Sequence, residues 1–226
     1  MLIRQISILG SGTMGRGIAY LAATAGYDTV MYDIDEAALG RARESVDALF
    51  RRGIEKGKLD EAAARDAAAR LRTTVEVESA VVDANLIIEA IPENVQLKKD
   101  LYSQADLYCG DDTIFATNTS SLSISQLAGA VERRDRFVGM HFFNPPEAMR
   151  LVEIVVGERT SDLTVGEVRE VVARMGRDAI VVRDTPGFAT SRLGVTLGLE
   201  AVRMLQDGVA SAADIDKAME LGYNHP

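Results

Sequence analysis

The sequence lacks three features that would point to a location outside the cytoplasm. Its only cysteine is Cys109, which excludes an internal disulfide and suits a reducing compartment. No apolar run is long enough to span a bilayer, and the first residues are typical of a core strand rather than of a signal peptide. We therefore expect a cytoplasmic protein without a membrane segment.

Basic charge and metal-binding side chains are also scarce. The formal net charge is −9, and the acidic residues are spread among basic ones, which disfavours nucleic-acid binding. An anionic ligand would therefore need a local basic patch. The two histidines belong to no grouping of metal ligands, so we expect no metal site. What is present is a chain of 226 residues, 47% of them hydrophobic, which is enough for a sizeable core.

A glycine-rich motif, Gly10-Ser-Gly12-Thr-Met-Gly15, follows the apolar residues 3–9 and opens a segment of helical period. A second strand then ends at Asp33, which completes a strand, helix, strand unit. In a dinucleotide-binding unit Gly10 permits a sharp turn, Gly12 admits a pyrophosphate and Gly15 allows close packing. Asp33 would accept hydrogen bonds from the ribose, which favours NAD over NADP. The alternative is a turn with only a packing role.

Strands and helices alternate through the following residues. The segment 35–71 predicts two helices that form a hairpin inserted into a Rossmann pattern. The whole pattern predicts an α/β fold of the Rossmann type, doubly wound, with a mainly parallel sheet of roughly eight strands. The strands that the pattern locates are residues 3–9, 29–32, 86–90, 114–117, 137–140, 151–156 and 179–182.

Pro186-Gly187 marks the predicted domain boundary, because proline cannot extend the preceding strand and the next residues have helical period. We expect a dinucleotide-binding domain over residues 1–185 and the beginning of an all-α domain over 186–226. Two helices are too few to bury their apolar faces alone. Either they pack on the sheet domain or the natural chain continues.

His141 follows a predicted strand, which is where open α/β sheets bind ligands. Glu153 falls inside an apolar strand pattern, where a charge is costly unless it is paired. A pair of these two residues would explain both features, since the carboxylate would orient the imidazole and stabilise its protonated form for general-base catalysis. The alternative is a structural histidine and a glutamate that faces solvent.

Short polar side chains follow another predicted strand, at Asn118-Thr119-Ser120-Ser121. They could hold a substrate oxygen or the nicotinamide carboxamide. Ser121 or Ser123 could instead cap the helix that begins near Ile124. The predicted hairpin carries a basic cluster, which is either a solvated face or an anion site; its members are Arg51, Arg52, Lys56 and Lys58.

These motifs together resemble the NAD-dependent (S)-3-hydroxyacyl-CoA dehydrogenase family, and its short-chain members most. The resemblance covers essentially the whole chain. The residues that carry it are Gly10-x-Gly12-x-Met14-Gly15-x-Gly17-Ile18-Ala19, Tyr32-Asp33, Glu89-Ala90-Ile91-x-Glu93-Asn94, Asn118-Thr119-Ser120-Ser121-Leu122, His141-Phe142-Phe143-Asn144-Pro145, Glu153 and Asp184-Thr185-Pro186-Gly187-Phe188.

The resemblance implies interconversion of 3-hydroxyacyl-CoA and 3-oxoacyl-CoA with NAD. It implies that His141 is the general base, that Glu153 is its partner, and that Ser120 and Asn144 position substrate and nicotinamide. A CoA-phosphate site would include Lys56 with Arg52. Glu93 and Lys98 match the family's nucleotide-site positions. The whole expected cofactor site consists of Gly10, Gly12, Thr13, Met14, Gly15, Asp33, Glu93, Lys98 and Asn118.

The chain departs from the family pattern in two places. Ser191 stands where the family commonly has an asparagine that contacts substrate, so a hydroxyl replaces an amide. The helical domain is also shorter than the family's, in which it forms the homodimer. Two other functions stay open at this point: a dehydrogenase of a free hydroxy acid or sugar acid, which would not need the basic hairpin, and a non-catalytic dinucleotide-binding module, which would not need His141.

Overall fold

The computed structural model describes residues 2–225, and the chain divides into two compact units between Pro186 and Gly187. The first unit is a sheet covered by helices, and the second is helical. In chain order the elements are β1 (Gln5–Leu9), α1 (Thr13–Thr24), β2 (Asp28–Tyr32), α2 (Glu36–Glu55), α3 (Glu61–Arg70), β3 (Leu71–Thr74), α4 (Val77–Val81), β4 (Leu86–Glu89), α5 (Val95–Asp106), β5 (Ile114–Thr117), α6 (Ile124–Leu127), β6 (Phe137–Phe142), β7 (Leu151–Val156), α7 (Asp162–Arg174), β8 (Asp178–Arg183), α8 (Thr190–Gln206) and α9 (Ala212–Tyr223).

The sheet has eight strands in the order β3-β2-β1-β4-β5-β6-β7-β8. The strands from β3 to β6 are mutually parallel, β7 pairs antiparallel with β6, and β8 is parallel to β7. The strand order reverses between β1 and β4, and such a switch point leaves a crevice at the carboxyl ends of the two strands. The predicted Rossmann-type, mainly parallel sheet is confirmed.

Two elements escape the sequence pattern. Strand β3, with the sequence Leu-Arg-Thr-Thr, exposes Arg72 and Thr73 and pairs only with β2 at the edge of the sheet, so it has no apolar run. The short helix α4 follows it. The predicted helical hairpin is present as α2 and α3, and each helix begins at an aspartate cap: Asp35 accepts from the amide of Ala37, and Asp60 accepts from the amide of Ala63.

The core lies between the sheet and its helices. Strands β1 and β4 are buried on both faces and read as nearly continuous apolar runs, as expected for central parallel strands. Burying one such isoleucine or leucine side chain stabilises the fold by about 1.5–3 kcal/mol. The fully buried side chains at the centre of the sheet include Ile6, Ile8, Leu86, Ile88, Ile114 and Val138.

The second unit consists of α8 and α9. Helix α8 has no buried residue, whereas Ile215 of α9 is buried. Apolar side chains of α8 are therefore exposed, among them Leu193, Leu197, Val202 and Leu205. Within residues 2–225, no helix combines the length and apolarity that a membrane crossing requires.

Candidate active site

A groove opens at the carboxyl ends of β1 and β4, and two glycines shape its floor. Gly10 has a φ of +109°, and a Cβ added there would lie 2.7 Å from the carbonyl oxygen of Ala90. A Cβ on Gly15 would lie 1.9 Å from the carbonyl oxygen of Gly10. Gly12 differs, because a Cβ there would meet open space. It is the N-cap of α1 and supplies no side chain, so the first turn of the helix faces the groove, as an anion site requires.

Asp33 ends β2 on the other side of the groove. Its Oδ2 accepts from the Ser11 amide at 2.9 Å and from the Ser11 hydroxyl at 2.6 Å. Burial alone would raise the pKa of the Asp33 carboxyl, but the hydrogen bonds from Ser11 and from backbone amides outweigh it and lower the pKa. The carboxylate therefore stays ionised, and its partly exposed position allows it to accept further hydrogen bonds.

The groove has a volume of about 720 Å³, which is within the range of small-molecule sites. Thr13 and Met14 of α1 line it together with Asp33. Helix α5 contributes the opposite wall through Leu97 and Leu101. The predicted cofactor residues Gly10, Gly12, Thr13, Met14 and Asp33 thus surround one cavity.

A second cleft of about 340 Å³ adjoins the groove, because Met14, Ala90 and Ile91 line both. It collects most of the remaining predicted site residues, which come from α5 and from the carboxyl ends of β4, β5 and β6. Those that line this cleft are Glu93, Lys98, Asn118, Ser120, His141 and Asn144.

His141, which lines this cleft, is paired with the buried Glu153. They are direct partners in the antiparallel register of β6 and β7, so their side chains lie on the same face of the sheet. Nδ1 of His141 and Oε2 of Glu153 are 2.7 Å apart, and Glu153 is 0% exposed. The glutamate therefore does not face solvent. His141 lies within β6 rather than after it, because the strand continues to Phe142.

The polar segment after β5 is fixed by its own side chains. Oδ1 of Asn118 accepts from the Phe142 amide at 2.9 Å, which ties the end of β5 to β6. Ser123 caps α6, since its Oγ accepts from the Gln126 amide at 3.2 Å. The helix-capping alternative therefore applies to Ser123, whereas Ser120 is exposed and lines the cleft.

Glu93 holds the same segment from the side of β4. Its carboxylate accepts from the Thr119 hydroxyl, from the Ser120 amide at 3.2 Å and from the Ser121 hydroxyl at 3.2 Å. Burial would raise the pKa of the Glu93 carboxyl, but the hydrogen bond from Thr119 and the charge of Lys98 outweigh it and lower the pKa. The carboxylate is thus ionised.

Asn144 lies in the turn between β6 and β7, next to a cis peptide bond to Pro145. Helix α1 supports this turn through Gly17, where an added Cβ would lie 2.9 Å from Cγ of Pro146. Arg177 also supports it, since its Nη2 donates to the carbonyl oxygens of Pro146 and Glu147. The turn that carries Asn144 therefore packs closely against a small residue of α1.

The other predicted substrate-binding residues, Arg52, Lys56 and Ser191, do not line the cleft that contains His141. Arg52 lines a third cleft, of about 280 Å³, together with Arg16, Ser45 and Glu147. Lys56 is the exposed C-cap residue of α2, one turn beyond Arg52. Ser191 lies in the first turn of α8, in the second compact unit.

Glu89 and Tyr102 lie next to the cleft residue Lys98, and the sequence pattern assigns neither of them a role. Glu89 ends β4 and is fully buried, and it pairs with Lys98 at 2.5 Å. Glu89 carries the same local signal as Glu153, because it is a charged residue in an apolar strand with a candidate partner nearby. The hydroxyl of Tyr102 donates to the same carboxylate, but nothing in the local pattern distinguishes this residue from an ordinary core aromatic.

Comparisons with known proteins agree with this geometry. Residues 5–185 match the family model for the NAD binding domain of 3-hydroxyacyl-CoA dehydrogenase, and residues 187–226 match the model for its C-terminal domain. The chain is 37% identical over 231 residues to the mitochondrial hydroxyacyl-coenzyme A dehydrogenase of Sus scrofa, with 100% of this chain and 74% of that protein covered.

Two bacterial proteins show the same similarity. The chain is 38% identical to the 3-hydroxybutyryl-CoA dehydrogenase of Clostridioides difficile, with 98% of this chain and 79% of that protein covered. The crystal structure of (S)-3-hydroxybutyryl-CoA dehydrogenase PaaH1 from Ralstonia eutropha has a TM-score of 0.95 at 41% identity, with 100% and 79% of the two chains covered. The similarity therefore extends over both units of the chain.

Proposed function

The chain belongs to the 3-hydroxyacyl-CoA dehydrogenase family, and on that premise we propose that it interconverts (S)-3-hydroxyacyl-CoA and 3-oxoacyl-CoA thioesters with NAD. Short-chain substrates of the 3-hydroxybutyryl-CoA type are the proposed class, because relatives with that name are 38% and 41% identical to the chain. The observation that carries the proposal is the buried His141–Glu153 pair in the cleft beside the dinucleotide groove.

His141 is proposed as the general base in oxidation and the general acid in reduction. With Nδ1 hydrogen-bonded to Glu153, the neutral ring keeps its proton on Nδ1, and Nε2 is the nitrogen that takes the proton of the 3-hydroxyl. Glu153 holds the ring in this orientation and compensates the positive charge that the ring acquires. NAD, when bound, supplies the redox chemistry by exchanging a hydride with C3 of the substrate.

The residues around the pair are assigned to positioning. Ser120 and Asn144 line the same cleft as His141, so their side chains are proposed to hold the substrate and the nicotinamide. The end of the cofactor site next to His141 is proposed to include three further residues of the cleft, Asn118, Glu93 and Lys98.

The other end of the cofactor site is the glycine-rich groove. The groove fits NAD, because Gly12 leaves open space at the start of α1 and Asp33 presents an ionised carboxylate. The first turn of α1 would receive the pyrophosphate, with Gly10 and Gly15 shaping the backbone and Thr13 and Met14 lining the approach. Asp33 would accept the ribose hydroxyls.

The basic end of the hairpin is proposed as the CoA-phosphate site, with Lys56 and Arg52 as its cations. A chain with net charge −9 needs such a local patch to bind a polyanion. Ser191 is proposed to take the place of the asparagine that commonly contacts substrate in the family. The exposed apolar side chains of α8 support a homodimer formed through the helical unit, and light scattering on the purified protein would test this.

Oxidation of NADH with acetoacetyl-CoA, compared with free acetoacetate, tests the reaction. We expect turnover of the thioester and little turnover of the free acid. Lys56→Glu should raise the KM for acetoacetyl-CoA roughly tenfold or more through loss of a charged contact to phosphate, and it should leave the KM for a truncated thioester unchanged.

Arg65→Glu is the matched control, because it makes the same charge change on an exposed position of α3. Equal effects of Lys56→Glu on the two thioesters would remove the hairpin from the CoA site. Faster turnover of the free acid would favour a hydroxy-acid dehydrogenase, and NADH binding without turnover of either substrate would favour a non-catalytic module.

A further inference from the structure

A buried charge cluster lies beneath the Ser120 segment, and the proposed chemistry does not use its innermost member. Glu89 is 0% exposed at the end of β4, and Lys98 of α5 is 1% exposed. Nζ of Lys98 donates to Oε1 of Glu89 at 2.5 Å and lies 3.4 Å from Oε2 of Glu93. The lysine thus joins a fully buried carboxylate to a partly exposed one.

Glu89 accepts hydrogen bonds on both of its oxygens. Oε1 accepts from the Ile91 amide at 2.7 Å as well as from Lys98. Oε2 accepts from the Thr117 hydroxyl at 2.8 Å, and it shares the single proton of the Tyr102 hydroxyl with the carbonyl oxygen of Ala116, each acceptor lying 3.1 Å from that hydroxyl. A carboxylate with this many donors has one orientation, and it gives the buried ammonium of Lys98 its counter-charge.

The cluster forms hydrogen bonds to both ends of the segment of residues 117–121. At the first end Thr117 donates to Glu89 and accepts from the Thr119 amide at 3.2 Å. At the other end Glu93 accepts from Thr119, Ser120 and Ser121. A continuous set of polar contacts therefore runs from Thr117 through Glu89, Lys98 and Glu93 back to the same segment; the contact between Lys98 and Glu93 is an ion pair, and the others are hydrogen bonds.

We propose that Glu89 is a positioning residue, which fixes segment 117–121 through Thr117 and through the Lys98–Glu93 link and so sets the place of Ser120 in the cleft. Without the charge of Glu89, Lys98 keeps only Glu93 as an anionic partner within this cluster. Its ammonium would then shift toward Glu93 and draw that carboxylate away from the Ser120 amide. The inference rests on the proposed function for the role of Ser120, but the anchoring itself can be measured without a substrate.

Glu89→Gln tests the proposal, because glutamine keeps the shape of the side chain and removes the charge. We expect faster amide hydrogen exchange in a peptide covering residues 117–122 and a Kd for NADH that is higher by roughly tenfold, as for loss of a hydrogen bond to a charged group. The kcat with acetoacetyl-CoA should fall by a similar factor.

Glu167→Gln is the matched control. Glu167 also pairs with a buried cation, Arg136, at 2.7 Å, but this pair lies at the opposite, amino end of the parallel strands. Both variants lose a buried ion pair and should have a lower Tm. Only Glu89→Gln should change exchange at 117–122 and the affinity for NADH.

A purely structural role for Glu89 predicts a different result, in which both variants lose stability and neither changes exchange or NADH affinity. That outcome would overturn the proposal. If Glu89→Gln does not fold, Thr117→Val removes one bond of the same set, and wild-type exchange and Kd in that variant would overturn it as well. If the wild type binds NADH but does not turn over acetoacetyl-CoA, the proposed reaction fails while the exchange and affinity results still decide the role of Glu89.

Discussion

The two ends of the parallel strands use buried charge in different ways. At the amino end Arg136, which precedes β6, donates to Glu167 of α7 and to the carbonyl oxygen of Asp112 at 2.5 Å. These two contacts connect the start of β6 to α7 and to the residues that precede β5. At the carboxyl end, by contrast, His141 and Lys98 line a cleft, and each is paired with a fully buried carboxylate, Glu153 and Glu89 respectively.

This difference shows that a buried ion pair does not by itself identify a functional site. Such pairs cost desolvation energy at either end of the sheet. The distinguishing feature is that one member of each carboxyl-end pair faces a cavity, where it can meet a ligand. The comparison therefore predicts large effects on catalysis at one end and effects on stability alone at the other.

Substitution of His141 should give the largest effect. His141→Gln removes the proposed base, so kcat should fall by about a hundredfold or more, the usual scale of general acid–base catalysis. The Kd for NADH, measured by fluorescence titration, should change little, because the glycine-rich groove is untouched. Near wild-type turnover would exclude His141 as the base.

Substitution of one buried carboxylate at each end of the parallel strands, Glu153 and Glu167, tests the comparison directly. Glu153→Gln should lower kcat on the order of tenfold to a hundredfold, because the histidine loses its orienting partner and its counter-charge. Glu167→Gln should lower Tm and leave kcat unchanged. Steady-state kinetics and thermal unfolding of both variants make the comparison, and equal kcat values for the two would make Glu153 a structural residue.

Substitution of Asp33 should have a smaller effect, which is confined to the affinity for the coenzyme. Asp33→Ser removes an ionised acceptor at the edge of the groove, so the affinity for NADH should fall by roughly tenfold. NADPH should gain relative to NADH, because the serine no longer repels a 2′-phosphate. Titration of wild type and variant with both coenzymes measures this. Equal affinity of the wild type for NADH and NADPH would contradict the assignment of Asp33.

Much of this site could be predicted from the sequence because its signals are local. The glycine-rich motif, the strand before it and Asp33 lie within one strand, helix, strand unit, where spacing alone fixes geometry. The His141–Glu153 pair follows from the cost of burying a lone charge. The connection from Phe142 to Leu151 is also too short for the crossover of a parallel pair, which is consistent with the antiparallel register that sets the two side chains face to face.

The rest depends on contacts that spacing does not encode. Strand β3 is short and polar, and it forms because β2 offers an edge. Thr117 and Tyr102 reach Glu89 from two other elements, so their roles appear only when β4, β5 and α5 are assembled. The local pattern at Glu89 signals a buried charge, but it does not say what that charge holds in place.

The smallest effect is expected from Asp184, which follows β8. Because β8 runs against the six parallel strands, this carboxylate lies at their amino end, where it accepts from the Ser125 amide at 2.8 Å and the Ser123 hydroxyl at 2.9 Å. Burial would raise the pKa of the Asp184 carboxyl, but these hydrogen bonds outweigh it and lower the pKa. A lowered pKa in the folded state stabilises the protein above the ordinary aspartate value of about 3.9, and this contribution is lost as the pH falls through the folded-state pKa.

Asp184→Asn should therefore lower Tm between pH 5 and 7 and converge with the wild type only as the pH falls through the lowered folded-state pKa of Asp184. Solvent screening at this partly exposed site limits the loss to about 1 kcal/mol, or about 2–4 °C in Tm. Circular dichroism melts from pH 3 to 7 measure the difference. Asp178→Asn is the control, because Asp178 pairs with Arg150 on the exposed surface of the same strand and should contribute little at any pH. A difference between wild type and Asp184→Asn that stays constant down to pH 3 would show that the hydrogen bonds to Asp184, and not its charge, stabilise this end of the sheet.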